Sequence, residues 1–126
     1  MISEIEFLYT NKGFQIPTIE VLYRDYDHDR KLIHSALKLL ISEWKDAREQ
    51  LSKAIITQNV VLKEAVVHKL ANSLRRFNLH KLEQQLVHMN LEQLTVTKDL
   101  EDINNDIQVK MNQCELFFEE ELKKWS

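Results

Sequence analysis

The placement of helix-breaking residues is the strongest constraint on what this chain can fold into. Its 126 residues contain one glycine, Gly13, and one proline, Pro17, and both lie near the N-terminus. The long stretch after Pro17 therefore lacks the two residues that most often interrupt a helix. Because 44% of all residues are hydrophobic, that stretch can also supply a core. We predict one domain built from long helices.

Apolar residues recur at steps of three and four after Pro17, which is typical of amphipathic helices. The pattern predicts a short helix after Pro17, followed by helices over about 29–55, 58–77, 79–89 and 98–124. We expect Thr18 and Thr97 to cap the first and last of them. Asn78 tolerates the left-handed conformation that closes a helix, and the short connection there makes the third and fourth helices antiparallel. The predicted fold is all-α, an antiparallel four-helix bundle with a short additional N-terminal helix.

The chain divides into residues 1–13, an N-terminal arm or linker, and residues 14–126, the helical domain. The first segment alternates weakly in hydrophobicity and contains Asn11-Lys12-Gly13. A short hairpin, an extended arm and a linker remnant all agree with that pattern.

Charge and hydropathy narrow the class of partner and the compartment. The formal net charge of −3 gives no general basic field for nucleic acid, so a protein partner is expected. No apolar run approaches the roughly 20 residues that cross a bilayer, and the first residues lack the pattern of a signal peptide. We expect a cytoplasmic protein without direct membrane contact. The single cysteine, Cys114, is interpreted as a structural thiol in a reducing compartment.

Metal sites and independent catalysis are not expected. Three aspartates have the alternate spacing of calcium ligands: Asp25, Asp27 and Asp29. Arg30, however, stands where such a loop needs glycine, and Ala36 stands where it needs glutamate. Four histidines lack partners at metal-ligand spacing: His28, His34, His80 and His88. The chain also has no glycine-rich loop and no nucleophile elbow, so we predict no cofactor and no enzyme acting alone.

His68 is the candidate functional residue because of its position on the predicted third helix. The apolar stripe of that helix is Leu62, Val66, Leu70, Ser73 and Phe77. At about 100 degrees per residue, His68 points almost opposite that stripe. An exposed imidazole is largely neutral near pH 7 and keeps a lone pair that can attack phosphorus. Geometry alone leaves two alternatives, an ordinary surface histidine and a phosphoryl acceptor.

The segment around His68 resembles the signature of the histidine-containing phosphotransfer (HPt) family. In the run Val67-His68-Lys69-Leu70-Ala71-Asn72-Ser73-Leu74, the residues His68, Leu70 and Ser73 stand at matching positions. Asn78 stands at the turn glycine of the signature, and Leu82 stands at the first core leucine of the next helix. The resemblance covers about residues 14–95, and the last helix agrees in length and position. Ser73 and Asn78 are therefore given structural roles.

The resemblance implies a carrier in two-component signal transduction. His68 would accept a phosphoryl group from the aspartate of a receiver domain and pass it to another receiver in a phosphorelay. Magnesium is then expected only on the receiver. Ala71 and Asn72 stand where the family has a lysine and a glycine, and Arg75 is a candidate phosphate contact that compensates for the missing charge.

We expect receivers to dock on an exposed stripe around His68, with help from the facing part of the second helix. The stripe consists of Val61, Glu64, Ala65, His68, Ala71, Asn72 and Arg75. The partners would be response-regulator receiver domains, and the chain would be a monomer that acts alone or as the tail of a membrane-anchored hybrid sensor histidine kinase. Two alternatives remain: a degenerate, non-phosphorylated HPt-like adaptor, and a dimerisation module that uses the near-heptad apolar seam of the last helix.

Overall fold

The computed structural model describes residues 15–94 and 96–126, and within them the chain is all-helical. Its five α-helices are α1 (Glu20–Asp25), α2 (Arg30–Ile56), α3 (Val60–Arg76), α4 (His80–His88) and α5 (Thr97–Lys124), and a 3-10 turn spans Leu91–Gln93. The order confirms the predicted helices, with ends shifted by about two residues at most. None of the described helices combines the length and apolarity needed to cross a bilayer. The predicted arm, residues 1–13, lies outside the described residues.

Side-chain caps begin the two helices that carry most of the candidate site. The Asp29 carboxylate accepts a hydrogen bond from the backbone N–H of Leu32 at 3.0 Å at the start of α2. The Asn59 amide oxygen accepts one from the backbone N–H of Leu62, also at 3.0 Å, at the start of α3. Each bond satisfies an N–H that has no partner within its own helix, so these helices begin at defined positions.

The two threonine caps predicted from the sequence are wrong. Ile19 and Val96 occupy the N-cap positions of α1 and α5, and neither helix has a side-chain cap. The backbone N–H of Thr18 instead donates to the carbonyl of Phe77 at 2.9 Å. This contact ties the segment before α1 to the end of α3, so tertiary packing, rather than a local cap, sets the entry into α1.

Helices α2 and α5 run antiparallel along a shared interface. The indole N–H of Trp44 donates to the carbonyl of Met111 at 2.7 Å, and the Asn104 amide donates to the Ser52 hydroxyl at 3.2 Å. A later residue of α2 therefore pairs with an earlier residue of α5. The apolar seam predicted for the last helix is part of the core, where Met111 and Phe118 are fully buried.

Helices α3 and α4 are also antiparallel, as predicted. Arg75 near the end of α3 pairs with Glu83 early in α4, whereas Lys63 near the start of α3 contacts Val87 late in α4. Between the helices, Asn78 has a φ of 57°, in the left-handed region expected for the residue that reverses the chain. In the core, the ring of Phe118 packs against those of Trp44 and Phe77, and each pair of ring centroids is 5.4 Å apart.

The buried side of α3 is rotated relative to the predicted stripe. Leu62 and Ser73 are only half-buried, whereas three residues outside the predicted stripe are buried: Lys63, Val67 and Leu74. The reason is that α3 packs against α4 as well as α2, which widens and turns its buried arc. His68 nevertheless remains on the opposite, exposed side.

Candidate functional site

His68 lies in the middle of α3 and is exposed, although Val67 and Leu70 close to it are buried. Val61 is 80% exposed, Glu64, Ala65 and Asn72 are exposed, and Ala71 is half-buried. We call the surface formed by Val61, Glu64, Ala65, His68, Ala71, Asn72 and Arg75 the His68 face. The structure brings all seven predicted residues onto one side of α3, where most side chains adjoining the imidazole are short.

Arg75 is on the His68 face but is already engaged by another residue. Its Nε donates to Oε2 of Glu83 on α4 at 2.7 Å. Arg75 lies two helical turns from His68, so its guanidinium must turn towards His68 to reach a phosphoryl group there. The bond to Glu83 competes with that contact. The role of Arg75 as a phosphate contact stays a prediction. The sequence analysis missed Glu83, since its proximity depends on how α3 and α4 pack.

A groove of about 520 Å³ between α2 and α3 borders the His68 face. Ala65 and Lys69 belong to the lining of this groove, and both lie within one helical turn of His68. We call it the α2–α3 groove. Its apolar lining includes Leu40, Leu62 and Leu70, and its charged lining consists of Glu43, Asp46 and Lys69. Lys69 is an exposed cation next to His68 in sequence, and the resemblance gave it no role.

Ser73 and Asn78, the two residues assigned structural roles, lie at the C-terminal end of α3 and in the turn after it. Ser73 is half-buried and lines the α2–α3 groove, and its carbonyl accepts from the backbone N–H of Phe77 at 3.0 Å. Asn78 is exposed in the left-handed turn that follows.

Lys63 is a buried cation that the sequence analysis also missed. Its side chain is nearly inaccessible, and its Nζ donates to the carbonyl of Val87 at 3.3 Å. Val87 is in the last turn of α4, where carbonyls lack partners within the helix and carry partial negative charge. A second contact, 3.5 Å from Nζ to Glu64, reaches the His68 face. Lys63 thus links the C-terminus of α4 to the side of α3 that presents His68.

Two side chains with shifted pKa values lie away from His68. Desolvation, together with a hydrogen bond to the carboxylate of Glu121, raises the pKa of Tyr23 well above its usual 10.0. Desolvation also acts on Asp106, but hydrogen bonds from Gln85 and Lys110 outweigh it and lower the pKa of that carboxyl below 3.8. These groups join α5 to α1 and to α4, so they concern stability rather than the candidate site.

Neither a candidate metal-binding group among the described residues nor a similar protein indicates what the His68 face does. Across residues 15–94 and 96–126, no group of three or more His, Cys, Asp or Glu side chains could hold a metal ion. Comparisons of the chain with protein-family models, with curated proteins and with solved structures found no match. The chemistry and placement of the chain's own residues are therefore the basis for assigning a function.

Proposed function

We propose that this chain is an HPt phosphocarrier, a four-helix bundle that holds a phosphoryl group on His68 between two receiver domains. The observation that carries this proposal is the exposure of His68 in mid-helix, on the side of α3 turned away from the core. Ala65, Ala71 and Asn72 around it leave room for the surface of another protein. A histidine serving only the core would lie on the opposite side, with Val66 and Leu70.

The chemistry requires little from the carrier itself. A ring nitrogen of His68 would form a bond to phosphorus as the bond from phosphorus to the aspartyl oxygen of the receiver breaks, and the carboxylate leaves with the electron pair. The receiver and its magnesium would supply most of the charge stabilisation. The carrier contributes a positioned nucleophile and a docking surface.

Under this proposal the chain is a cytoplasmic signalling protein, because the proteins that donate the phosphoryl group to it and accept it from it would be response-regulator receivers. It would act as a monomer, free or as the tail of a sensor histidine kinase. A protein interface of standard size buries about 800 Å² on each partner. The His68 face together with the rim of the α2–α3 groove forms a continuous surface suited to such a contact.

The direct test is transfer of labelled phosphate from purified, phosphorylated receiver domains. We expect acid-labile, base-stable label on the wild-type chain and none on His68→Gln. His80→Gln is the matched control, since His80 is an exposed histidine on α4 and should not affect labelling. Equal labelling of wild type and His68→Gln, or no labelling of the wild type by any receiver, would contradict the proposal.

A non-phosphorylated adaptor is the second candidate. It is favoured by two features: Arg75 is held by Glu83, and Ala71 stands at the position of the family's lysine, so neither position offers a free positive charge to a phosphoryl group on His68. Such an adaptor would bind receivers through the His68 face without accepting label. Dimerisation through α5 is weaker as an explanation, since Ile107, Met111 and Phe118 of its seam are already buried in the chain's own core.

A further inference from the structure

We propose that the α2–α3 groove binds a lysine or arginine side chain of the docking receiver, with Glu43 and Asp46 as its charge partners. The proposal rests on the proposed docking of a receiver on the His68 face, but not on phosphoryl transfer. It makes the two carboxylates selectivity determinants for the partner.

The α2–α3 groove lies next to the surface on which the receiver is proposed to dock. The α2–α3 groove shares Ala65 with the His68 face, and its other α3 residue near the imidazole, Lys69, directly follows His68. A receiver that covers His68 would therefore also cover the near edge of the groove. With about 800 Å² per partner in a standard interface, the same contact reaches the far edge on α2.

The charges that line the groove favour a cationic side chain. Among the described residues, neither Glu43 nor Asp46 has a hydrogen-bond or ion-pair partner. Glu115 and Glu119, in contrast, pair with Arg48 and Lys45 across the interface between α2 and α5. The groove lining thus carries two unpaired carboxylates against one lysine. A partner that covered them without a cation would leave desolvated negative charge, which is costly.

The polarity of the groove lining favours a side chain with an apolar stem and a charged head. Leu40, Leu62 and Leu70 give the groove an apolar lining, whereas the carboxylates supply charged groups on the α2 side. A lysine or arginine side chain matches both parts, because its hydrocarbon stem covers apolar surface while its head remains at the polar edge. An aromatic or aliphatic side chain would match the apolar lining alone.

The opposite charges on the two sides of the groove also favour one orientation of the receiver. Glu43 and Asp46 belong to α2, whereas Lys69 belongs to α3 beside His68. A phosphoaspartate is anionic, so it is favoured near Lys69 and disfavoured near α2. A cationic side chain of the same receiver has the reverse preference. Both preferences are satisfied when the phosphorylated aspartate faces His68.

The test measures docking separately from transfer. Purified receiver domains are titrated against the chain carrying His68→Gln, and binding is followed by fluorescence anisotropy at two salt concentrations. In that background, Glu43→Gln with Asp46→Asn removes both charges at the groove. The matched control is Glu49→Gln with Glu120→Gln, which removes two exposed carboxylates of α2 and α5 outside the groove and changes the net charge equally.

We expect the groove variant to bind about three- to tenfold more weakly and to depend less on salt, while the control stays within about twofold of the parent. Replacing the receiver's contacting lysine or arginine by alanine should remove the difference. Binding unchanged by the groove variant, or no binding of any receiver, would overturn the inference. If binding depends on Glu43 and Asp46 but wild-type His68 accepts no label, the inference stands and the phosphocarrier function fails.

Discussion

The two sides of α2 differ in how their polar groups are satisfied. Towards α5, the Trp44 indole donates to Met111, Arg48 pairs with buried Glu115, and further side-chain bonds continue along the interface. Towards α3, no side-chain hydrogen bond or ion pair joins the two helices among the described residues, and a groove of about 520 Å³ remains. On the α5 side, side-chain donors of α2 and α5 are paired across the interface, although the buried Oδ1 of Asn104 has no hydrogen-bond partner. The groove side leaves its charges available to a partner.

The largest effect is expected at Trp44, which donates a hydrogen bond to α5 and also lines the α2–α3 groove. Trp44→Ala should lower the free energy of unfolding by about 3–5 kcal/mol, because it removes a buried indole, in a residue that is 1% exposed, together with its hydrogen bond to Met111. Trp44→Phe should cost roughly 1 kcal/mol if the hydrogen bond is the main loss. Urea unfolding measures both. Leu39→Ala, at an exposed position of the same helix, should change stability by no more than about 0.5 kcal/mol. Similar losses for Trp44→Ala and Leu39→Ala would break the comparison.

A bulky substitution on the groove side should affect binding rather than stability. Ala65→Trp places a large ring between the His68 face and the α2–α3 groove, so receiver binding should weaken by about tenfold, or roughly 1.4 kcal/mol. Because Ala65 is exposed, unfolding should change by about 0.5 kcal/mol or less. Ser35→Trp, at an exposed site on α2 outside the groove, is the control. Loss of stability equal to the loss of binding would show that the groove side is also part of the permanent core.

A smaller effect is expected where α1 meets α5. Tyr23→Phe should destabilise the chain by about 1 kcal/mol, since Glu121 loses a hydrogen bond. The raised pKa of Tyr23 means that this stabilisation is present below pH 10.0 and is lost as the pH rises above that value. Alkaline unfolding curves should therefore show a steeper loss for the wild type than for Tyr23→Phe. Tyr26→Phe should retain the wild-type slope, and a loss of that slope would assign the alkaline effect to another group.

The smallest effect is expected at Asp106, which accepts a hydrogen bond from Gln85 of α4 and another from Lys110 within α5, near the surface. Its lowered pKa stabilises the fold above about pH 3.8, and this contribution is lost as the pH falls below that value. Because the Asp106–Lys110 pair is largely solvated, Asp106→Asn should lower the free energy of unfolding by less than about 1 kcal/mol near neutral pH. In strong acid it should have no effect. Chemical unfolding at both pH values checks this, with Asp102→Asn as control. A cost as large as that of Trp44→Ala would mean that surface bonds matter as much as buried ones.

Much of the fold follows from local patterns, but the details of the site do not. The periodicity of Leu37, Trp44 and Leu51 predicts α2, and Asn78 predicts the turn that makes α3 and α4 antiparallel. The burial of Lys63 was not foreseen, because a lysine in an amphipathic pattern normally indicates solvent. Its contact with Val87 exists only once α4 lies against α3.

For the residues that the structure describes, the amino-acid sequence by itself determined the all-helical structure, the positions of the helices and the placement of His68 opposite the apolar stripe of α3. These features depend on backbone preference and on a repeat of about 3.6 residues. Only the tertiary structure decided that Glu83 engages Arg75 and that Glu43, Asp46 and Lys69 line one groove. The physical reason is that charges far apart in sequence have no fixed distance until helix packing sets which faces meet, and the free energy of that packing comes mainly from the buried core rather than from the charges themselves.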